Sequence, residues 1–372
     1  MNIKDHRNIF IIGNGFDVAL GLYTQYSHFK KYLIKTYGCD SLDKSLPIPY
    51  IAITKGTLRP NCFGSGKFYV EMNNSLDLSS YAKICFSLIN DAEKSYYEEN
   101  KSLKWDPDKV MWRDFETLLG MINFDKKYAE YNKNYGNEYA DRHSDIINNA
   151  ISVLKSHLFF EWIRSVDVRI DSHHFNGSFA KGFRKLLQFD DFAISFNYTD
   201  TLEMKDNHFK ICKYNIKHIH GMRATDDLEK QKTKNTVYGD NTRELIIGCK
   251  DSSKYTSTRN EFAMVADSLV KDTGNIIKNN LNAYLYFVEN SGIDNVYSCG
   301  FSYSEVDKPY LKEICKALAK KNTIWYLYDY DTAENIRSSL TIRECGFKGN
   351  ILGFYFDENG NFYLKNNYNR VF

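Results

Sequence analysis

The sequence predicts an α/β protein with a mostly parallel, Rossmann-like sheet, helices on both faces of the sheet and a large helical insertion. Three observations predict this fold. A short apolar strand opens the chain at residues 8–12, and short apolar segments alternate with helical patterns after residue 190. Such alternation is typical of parallel sheets. Between these parts, from about Leu78 to Leu187, apolar residues recur at three- and four-residue steps, which indicates helices.

The composition is that of an ordered globular protein. Of 372 residues, 43% are hydrophobic and 26% are charged, and 28 Tyr and 25 Phe stand against 5 Pro. The 49 basic and 47 acidic residues leave a formal charge of +2, so no global charge attracts nucleic acid or an anionic membrane. No window holds the roughly 18 uncharged apolar residues that a membrane span requires. Lys4 to Arg7 precede an apolar run that is too short for a signal peptide.

The cysteine pattern predicts neither a disulfide framework nor a zinc site. The eight cysteines are scattered along the chain and never form a Cys-x-x-Cys pair. Thiols without such spacing are typical of a reducing compartment. We therefore expect a cytoplasmic protein without bound zinc.

Two domains follow from the order of the segments. The first strand is followed by a predicted helix from about Thr24 to Lys35, and the helical region comes next. Residues 1–37 and 188–372 are predicted to form the Rossmann-like domain, and residues 38–187 a largely helical insertion subdomain.

The later segments predict strands, helices and a final hairpin. Five apolar segments are predicted strands: DDFAISF, YNIKHIHG, RELIIGC, DNVYSCGF and NTIWYLYDY. Helices are predicted from Glu305 to Lys320 and from Thr332 to Cys345. The tail GFYFDENGNFYLKN has an Asn-Gly turn between aromatic runs, which predicts a β-hairpin.

The first strand runs directly into the glycine loop Gly13-Asn14-Gly15. Glycines expose backbone N–H groups that can approach a phosphate, but an ordinary strand-to-helix turn explains them equally well. Val18 stands where the dinucleotide fingerprint has its third glycine, and no acidic residue follows a second strand about 20 positions on. A nucleotide at this loop is therefore not bound in the usual Rossmann manner.

Three further loops follow predicted strands. They contain Asn197 in FNYT, His218 and His220 in HIHG, and Gly300, Ser302 and Asp307 in CGFSYSEVD. Each loop also has a structural interpretation: Asn197 as a helix cap, His220 as a core histidine, and Ser304 with Asp307 as a capping pair. Because ligands bind beyond the carboxyl ends of parallel strands, the sequence predicts that all four loops line one pocket.

The motifs GNGFD, W-x-D-F-E (Trp112 to Glu116), FNYT, HIHG and GFSYSEVDKPYL, taken in order, resemble the motif series of the AbiH family of phage abortive-infection proteins. This resemblance runs from Ile11 to Leu311. More distantly, the series is similar to the sirtuin-like NAD-cleaving domains of bacterial antiphage systems. For Trp112 and Glu116, a core anchor with a salt bridge and a role in the site both remain open.

The resemblance implies roles for individual residues. Asn197 and His220 are the implied catalytic residues: Asn197 fixes the nicotinamide-side ribose and an attacking water, and His220 acts as the general base. The implied nucleotide-binding residues are Gly13, Asn14, Gly15, Phe16, Asp17, Gly300, Ser302 and Asp307. NAD⁺ is the implied substrate, with no further cofactor and no zinc.

The chain departs from the sirtuin-like pattern at several positions. Thr199 stands where that pattern has aspartate, with Asp200 one residue later, and Tyr23 stands where proline is usual. The zinc-binding cysteine pairs of protein deacylases are absent, which argues against protein deacylation. The loop between Ser302 and Asp307 is longer, which leaves adenosine recognition open.

The motifs and the resemblance leave two candidate functions. The first is a defence enzyme that hydrolyses NAD⁺ to ADP-ribose and nicotinamide. The alternative is a sensor or interaction module that binds NAD or an ADP-ribose-type nucleotide without turnover. Asn197 with His220 favours the enzyme, because a binding protein needs neither a base nor an amide that holds water. A phage-derived trigger and a homo-oligomer are left open as partners, while nucleic acid and membrane are not expected.

Overall fold

The computed structural model describes residues 7–39, 76–99, 112–126, 129, 146–170, 177–223, 245–250, 265–318 and 323–368. The chain divides into two compact units. The first consists of Met1–Thr24, Ile163–Leu245 and Asp272–Phe372, and the second of Gln25–Trp162 and Ile246–Lys271. These bounds differ from the predicted residues 38 and 187, since the helix at Tyr26–Tyr37 belongs to the second unit and the helix at Gly177–Leu186 to the first.

The first unit contains the sheet, and its mostly parallel α/β character confirms the predicted fold class. The strands are β1 (Arg7–Ile12), β2 (Phe192–Ser195), β3 (Ile216–His218), β4 (Ile293–Cys299), β5 (Ile324–Tyr328), β6 (Asn350–Phe356) and β7 (Phe362–Asn367). Within the described residues these seven strands lie in the order β3-β2-β1-β4-β5-β6-β7. All neighbours are parallel except β7, which is antiparallel to β6.

The strand order reverses direction beside β1. The chain moves outward from β1 through β2 to β3, then returns to place β4 on the other side of β1. The register brings the strand ends level: Ile12 pairs with both Ser195 and Cys299, and Ser195 pairs with His218. Ligands of doubly wound sheets bind at such a reversal, beyond the carboxyl ends of the strands. The predicted loops therefore start from one edge of the sheet.

The described helices are short to medium in length. They are α1 (Asn14–Ala19), α2 (Tyr26–Tyr37), α3 (Leu78–Glu99), α4 (Trp112–Leu119), α5 (Phe159–Ser165), α6 (Gly177–Leu186), α7 (Thr273–Ile276), α8 (Asn282–Asn290), α9 (Lys308–Ala317) and α10 (Thr332–Glu344). A π-helical turn precedes α5 at Leu154–Leu158, and another joins α7 to α8 at Ile277–Leu281.

Aromatic side chains pack helices against both faces of the sheet. On one face Phe10 of β1 packs edge-on against Phe183 of α6, with ring centroids 5.3 Å apart. On the other face Phe192, the strand partner of Ile9, contacts Tyr284 of α8 at 6.3 Å. Adjacent strand residues point to opposite faces, so the two contacts lie on opposite sides of the sheet. Burial of these large rings is a main source of the unit's stability.

The second unit is helical in most of its described residues. Helix α2 begins with a capping box between Gln25 and His28 and ends at Gly38, which has a left-handed φ of 63°. The Tyr26 ring stacks on Phe115 with centroids 4.8 Å apart. Glu116 forms a buried ion pair with Lys271. The salt-bridge interpretation of Glu116 is therefore the one realised, while the side chain of Trp112 lies outside the described residues.

The structure corrects the predicted elements in two places and confirms the tail. The segment RELIIGC is not a strand in its described part, 245–249, apart from a single bridge between Cys249 and Val270. Its backbone bonds instead to a segment about twenty residues later: the Cys249 N–H donates to the Leu269 carbonyl at 2.8 Å, and the Lys271 N–H donates to the Cys249 carbonyl at 2.9 Å. Strand β3 ends at His218, so His220 lies beyond it. The hairpin of β6 and β7 is confirmed, with a left-handed Gly360 in its turn.

Candidate functional site

The loops after β1 and β4 meet backbone to backbone at the strand-order reversal. The Gly13 N–H donates to the Cys299 carbonyl at 3.1 Å, and the Gly15 N–H donates to the Gly300 carbonyl at 3.0 Å. A Cβ atom added to Gly13 would lie 2.4 Å from the Gly300 oxygen. The glycines are thus required for the approach of the two loops, and the N–H groups of Gly13 and Gly15 are engaged by β4 and its loop.

Gly300 is the tightest point of this contact. Its φ is +66°, and an added Cβ would lie 2.1 Å from the Phe16 nitrogen. We expect Gly300→Ala to lower the free energy of unfolding by about 2–5 kcal/mol, because left-handed strain and overpacking add together. Gly292→Ala is the matched control: its φ is +71°, but nothing lies within 4 Å of the added Cβ. Urea unfolding of the two variants measures the difference, and equal losses would contradict the close-contact argument.

The remaining residues of the first loop divide between core and site. Asn14 is half-buried at the start of α1, and Phe16 is buried among rings of α6, with its centroid 4.7 Å from that of Phe183. Asp17 is fully buried and faces the loop after β2. The GNGFD motif therefore places Phe16 against the rings of α6 and Asp17 against the loop after β2.

Asp17 is the centre of a buried polar cluster. Its carboxyl group accepts hydrogen bonds from Thr199 Oγ1 at 2.6 Å and from Thr201 Oγ1 at 3.1 Å, and the two hydroxyls lie 2.9 Å apart. The side-chain amide of Asn197 also donates to it. The Thr201 hydroxyl carries one hydrogen, which is shared between Asp17 Oδ1 and Thr199 Oγ1.

Burial raises the pKa of Asp17 to about 6, although the hydrogen bonds from Thr199, Thr201 and Asn197 and the charge of Arg223 lower it. The folded state therefore binds this proton more tightly than the unfolded state, whose pKa is near 3.8. The stabilisation from Asp17 protonation is complete below pH 3.8 and is lost as the pH rises through about 6.

This titration predicts a difference between the wild type and Asp17→Asn. The pKa change is worth about 3 kcal/mol, so the wild type should lose about that much stability relative to the variant between pH 4 and 7. The variant cannot titrate at this position. Urea unfolding at a series of pH values measures the difference in the free energy of unfolding. A difference independent of pH would show that Asp17 keeps an ordinary pKa.

Asp200, which follows Thr199, is used differently. Its Oδ1 accepts from the buried Arg223 Nε at 2.7 Å, and Arg223 also donates to the carbonyls of Ile163 and Val166. Asp200 is thus the counter-ion of a buried arginine that ties together three segments of the first unit. In the structure Asp17, and not Asp200, is the acid that contacts Asn197.

Asn197 combines burial with an unused acceptor. Within the described part of the chain, its Oδ1 is buried and has no hydrogen-bond partner. Its backbone N–H donates to Ser195 Oγ at 3.3 Å, and its carbonyl lies 3.3 Å from His218 Nδ1. A buried amide oxygen left unpaired costs about 1–3 kcal/mol, so it marks a place where a water or ligand hydroxyl can bind.

His218 is held between two acceptors. Its Nε2 lies 2.6 Å from Glu203 Oε1, while Nδ1 faces the Asn197 carbonyl. Burial lowers the pKa of His218, but the Glu203 carboxylate and the Asn197 carbonyl raise it by more than burial lowers it. The pKa of His218 therefore lies above its ordinary value. Only an imidazolium donates from both nitrogens. His218 is therefore suited to fix the FNYT loop, and less suited to accept a proton.

His220 lies among aromatic rings. Its ring centroid is 5.4 Å from that of Phe196, 6.0 Å from that of Tyr198 and 5.5 Å from that of Tyr310 in α9. Phe196 and Tyr198 flank Asn197 in the chain, so the FNYT loop contacts His220 on one side and Asp17 on the other. The structure thus brings Asn197 and Asp17 together and places His220 against the neighbours of Asn197.

The loop after β4 is closed on itself. Ser302 Oγ and Ser304 Oγ both donate to Asp307 Oδ2, at 3.1 and 2.9 Å. Tyr303 has a left-handed φ of 52°, held by a hydrogen bond from its hydroxyl to Ser298 Oγ at 2.6 Å. Non-glycine residues in this conformation are held there by their surroundings. Ser304 contacts Asp307, but the N-cap of α9 is Asp307 itself and its side chain makes no capping hydrogen bond, so Ser304 is not the helix cap.

Four polar residues of the cluster were missed from the sequence as site components: Thr199, Thr201, Glu203 and Arg223. Their closeness in the sequence to the predicted motifs could have identified them: three lie within six residues of Asn197, and Arg223 follows HIHG by two residues. Among the described residues no group of three or more His, Cys, Asp or Glu side chains is placed to hold a metal ion. No described helix is both long and apolar enough to cross a membrane.

These features define a Rossmann-like α/β protein with a candidate site at the strand-order reversal of its sheet. Residues 9–329 match the family described as Bacteriophage abortive infection AbiH. The match spans most of the chain, and the protein belongs to this family. Membership supports a role in abortive-infection defence against phage. No curated protein and no solved structure matches the chain.

Proposed function

We propose that this protein is an antiphage defence enzyme that hydrolyses NAD⁺ to ADP-ribose and nicotinamide. The observation that carries the proposal is the buried, unpaired Oδ1 of Asn197 beyond the carboxyl end of β2. A ribose hydroxyl or the attacking water supplies the donor that this oxygen lacks. The position agrees with the general rule for ligands of doubly wound sheets.

The chemistry requires few protein groups. The water oxygen bonds to C1′ of the nicotinamide ribose, and the C–N bond breaks with its electron pair passing to the nicotinamide nitrogen. Nicotinamide leaves as a neutral molecule, and the proton of the water passes to His220. The rate gain comes from holding water and ribose in register and from the base, and each contribution is substantial.

The nucleotide half of the substrate is assigned to the two loops that meet at Gly300. The first loop is continuous with the Asn197 cluster through the hydrogen bond from Thr199 to Asp17. The N–H groups of Gly13 and Gly15 bond to Cys299 and Gly300, so the nucleotide is assigned to other atoms of this loop. Ser302 and Asp307 belong to the neighbouring β4 loop, where Ser302 donates to Asp307. This continuity favours one bound nucleotide spanning the β1 and β4 loops.

The test is product analysis on purified protein. We expect NAD⁺ to yield nicotinamide and ADP-ribose in equal amounts, and ¹⁸O from labelled water to appear in ADP-ribose. NADH is the matched control substrate, since its dihydronicotinamide is a poor leaving group, and it should remain intact. Because a defence enzyme is restrained until infection, cellular NAD⁺ is measured in parallel before and after phage challenge.

The outcomes separate the two candidate functions. Loss of NAD⁺ in either assay with the expected products supports hydrolysis. Binding of NAD⁺ or ADP-ribose by calorimetry without loss of NAD⁺ in either assay rejects the enzyme and favours the sensor. The enclosure of His220 by three rings is the observation that favours this second function, since aromatic faces also bind planar bases. If the protein neither binds NAD⁺ or ADP-ribose nor causes loss of NAD⁺, both functions are rejected.

A further inference from the structure

We propose that Asp17 is a positioning residue for Asn197, whose amide it orients so that Oδ1 is left available to the substrate. The inference rests on the proposed function for the use of that oxygen and extends it to helix α1. It also gives Asp17 a role other than direct contact with a nucleotide.

The hydrogen bonds of Asp17 converge on one loop. Thr199 and Thr201 donate to the two carboxyl oxygens, and both lie within four residues of Asn197. The Asn197 amide donates to the same carboxyl group. One side chain of α1 therefore fixes both the backbone path of this loop and the amide that it carries.

The chemistry of the two groups sets the orientation. A carboxylate only accepts hydrogen bonds, whereas a primary amide has donors on nitrogen and an acceptor on oxygen. Nδ2 must therefore face Asp17, and Oδ1 must face away from it. The buried Oδ1 is unpaired in the described residues, as this arrangement requires. An amide at position 17 offers both a donor and an acceptor, so the Asn197 amide no longer prefers to direct Nδ2 towards this side chain.

A matched control lies at the opposite end of β2. Asp191 is also buried, burial raises its pKa to about 6, and it accepts from the Asn8 backbone and side chain and from the Gln188 N–H. It precedes β2, while Asn197 follows it. Asp191→Asn therefore makes the same chemical change to a buried acid far from the strand carboxyl ends.

The kinetic test compares conservative variants. We expect Asp17→Asn to lower kcat for nicotinamide release by about 100-fold with little change in KM, as expected when a reacting group is misplaced. Thr199→Val should lower kcat by a smaller factor, and Thr199→Ser, which keeps the hydroxyl, should restore it. Asp191→Asn should keep the wild-type kcat. Equal kcat for the wild type and a folded Asp17→Asn would overturn the inference.

A second readout does not depend on turnover. In protein labelled with ¹⁵N-asparagine, the side-chain NH₂ signal of Asn197 is identified by its loss in Asn197→Asp. We expect this NH₂ to be protected from hydrogen exchange in the wild type and in Asp191→Asn, and to exchange much faster in Asp17→Asn and Thr199→Val.

The two readouts distinguish the two proposals. If the wild type never cleaves NAD⁺ but the NH₂ protection depends on Asp17, the proposed function fails and the positioning role stands. If protection is unchanged in both Asp17→Asn and Thr199→Val, the positioning role is rejected whatever the activity. Should Asp17→Asn not fold, the Thr199 pair still decides the result.

Discussion

Replacing His220 with phenylalanine is expected to lower the rate of nicotinamide release by about 10²–10⁴-fold, the contribution typical of a general base. Phenylalanine keeps a planar ring among Phe196, Tyr198 and Tyr310 and removes both nitrogens. The fold should survive this change, so circular dichroism and thermal unfolding should match those of the wild type. Steady-state assays with NAD⁺ measure the rate.

Two other histidines serve as controls for His220. His208 is exposed with a left-handed φ of 56°, and His208→Asn should leave the rate unchanged because asparagine tolerates this conformation. His218→Gln removes the imidazolium that faces Glu203 and the Asn197 carbonyl, and we expect a smaller loss than for His220. Wild-type rates for His220→Phe, with loss only for His218→Gln, would assign the base to His218.

Replacing Asn197 with alanine is expected to reduce nicotinamide release to the background of the assay. The variant lacks the buried Oδ1 that we propose to bind water or ribose and the side-chain amide that bonds to Asp17, so positioning is lost in addition to a hydrogen bond. Losses from misplaced reacting groups reach about 100-fold for a shift of about 1 Å, and removal is more severe. Product chromatography over long incubations measures the residual rate.

Asn207→Ala is the matched control for Asn197. Asn207 is a buried amide in the same unit, but its oxygen accepts from the Ile170 N–H at 2.9 Å and its nitrogen donates to the carbonyls of Val168 and Thr201. Its replacement should lower stability more than that of Asn197, because three made hydrogen bonds are lost. If Asn197→Ala keeps more than a tenth of the wild-type rate, its amide is not part of the catalytic machinery.

The alternation of apolar segments and helices was enough to predict the sheet, because parallel strands buried on both faces are continuous apolar runs. The same kind of pattern led to the wrong prediction of a strand at RELIIGC, because an apolar run of four to eight residues does not reveal which segment it will pair with. Its Gly248 packs against the Leu269 carbonyl, 21 residues later in the chain, and hydrophobic periodicity does not reveal such a contact.

The site was predicted where chain order and strand ends decide position, as for Gly13, Asn197 and Gly300. It was not predicted where side chains choose partners across the fold. Thr199 and Asp200 were placed one after the other in the sequence, yet one bonds Asp17 and the other Arg223. His218 and His220 are two residues apart, which in a strand would place both on one face, but β3 ends at His218 and the chain turns at Gly221, whose φ is +80°.

The strand order has a consequence for synthesis of the chain. Strand β1 is made first, but Ile9 pairs with Phe192 and Val296, which the ribosome adds much later. At about 5–20 residues per second, β1 waits roughly 10–40 s for β2 and longer for β4. Throughout that interval the four buried apolar residues of β1 have no partner strand, so chaperones that shield nascent chains have a long window in which to act. A polypeptide released before residue 300 also lacks the β4 loop, and its β1 loop has nothing to close against.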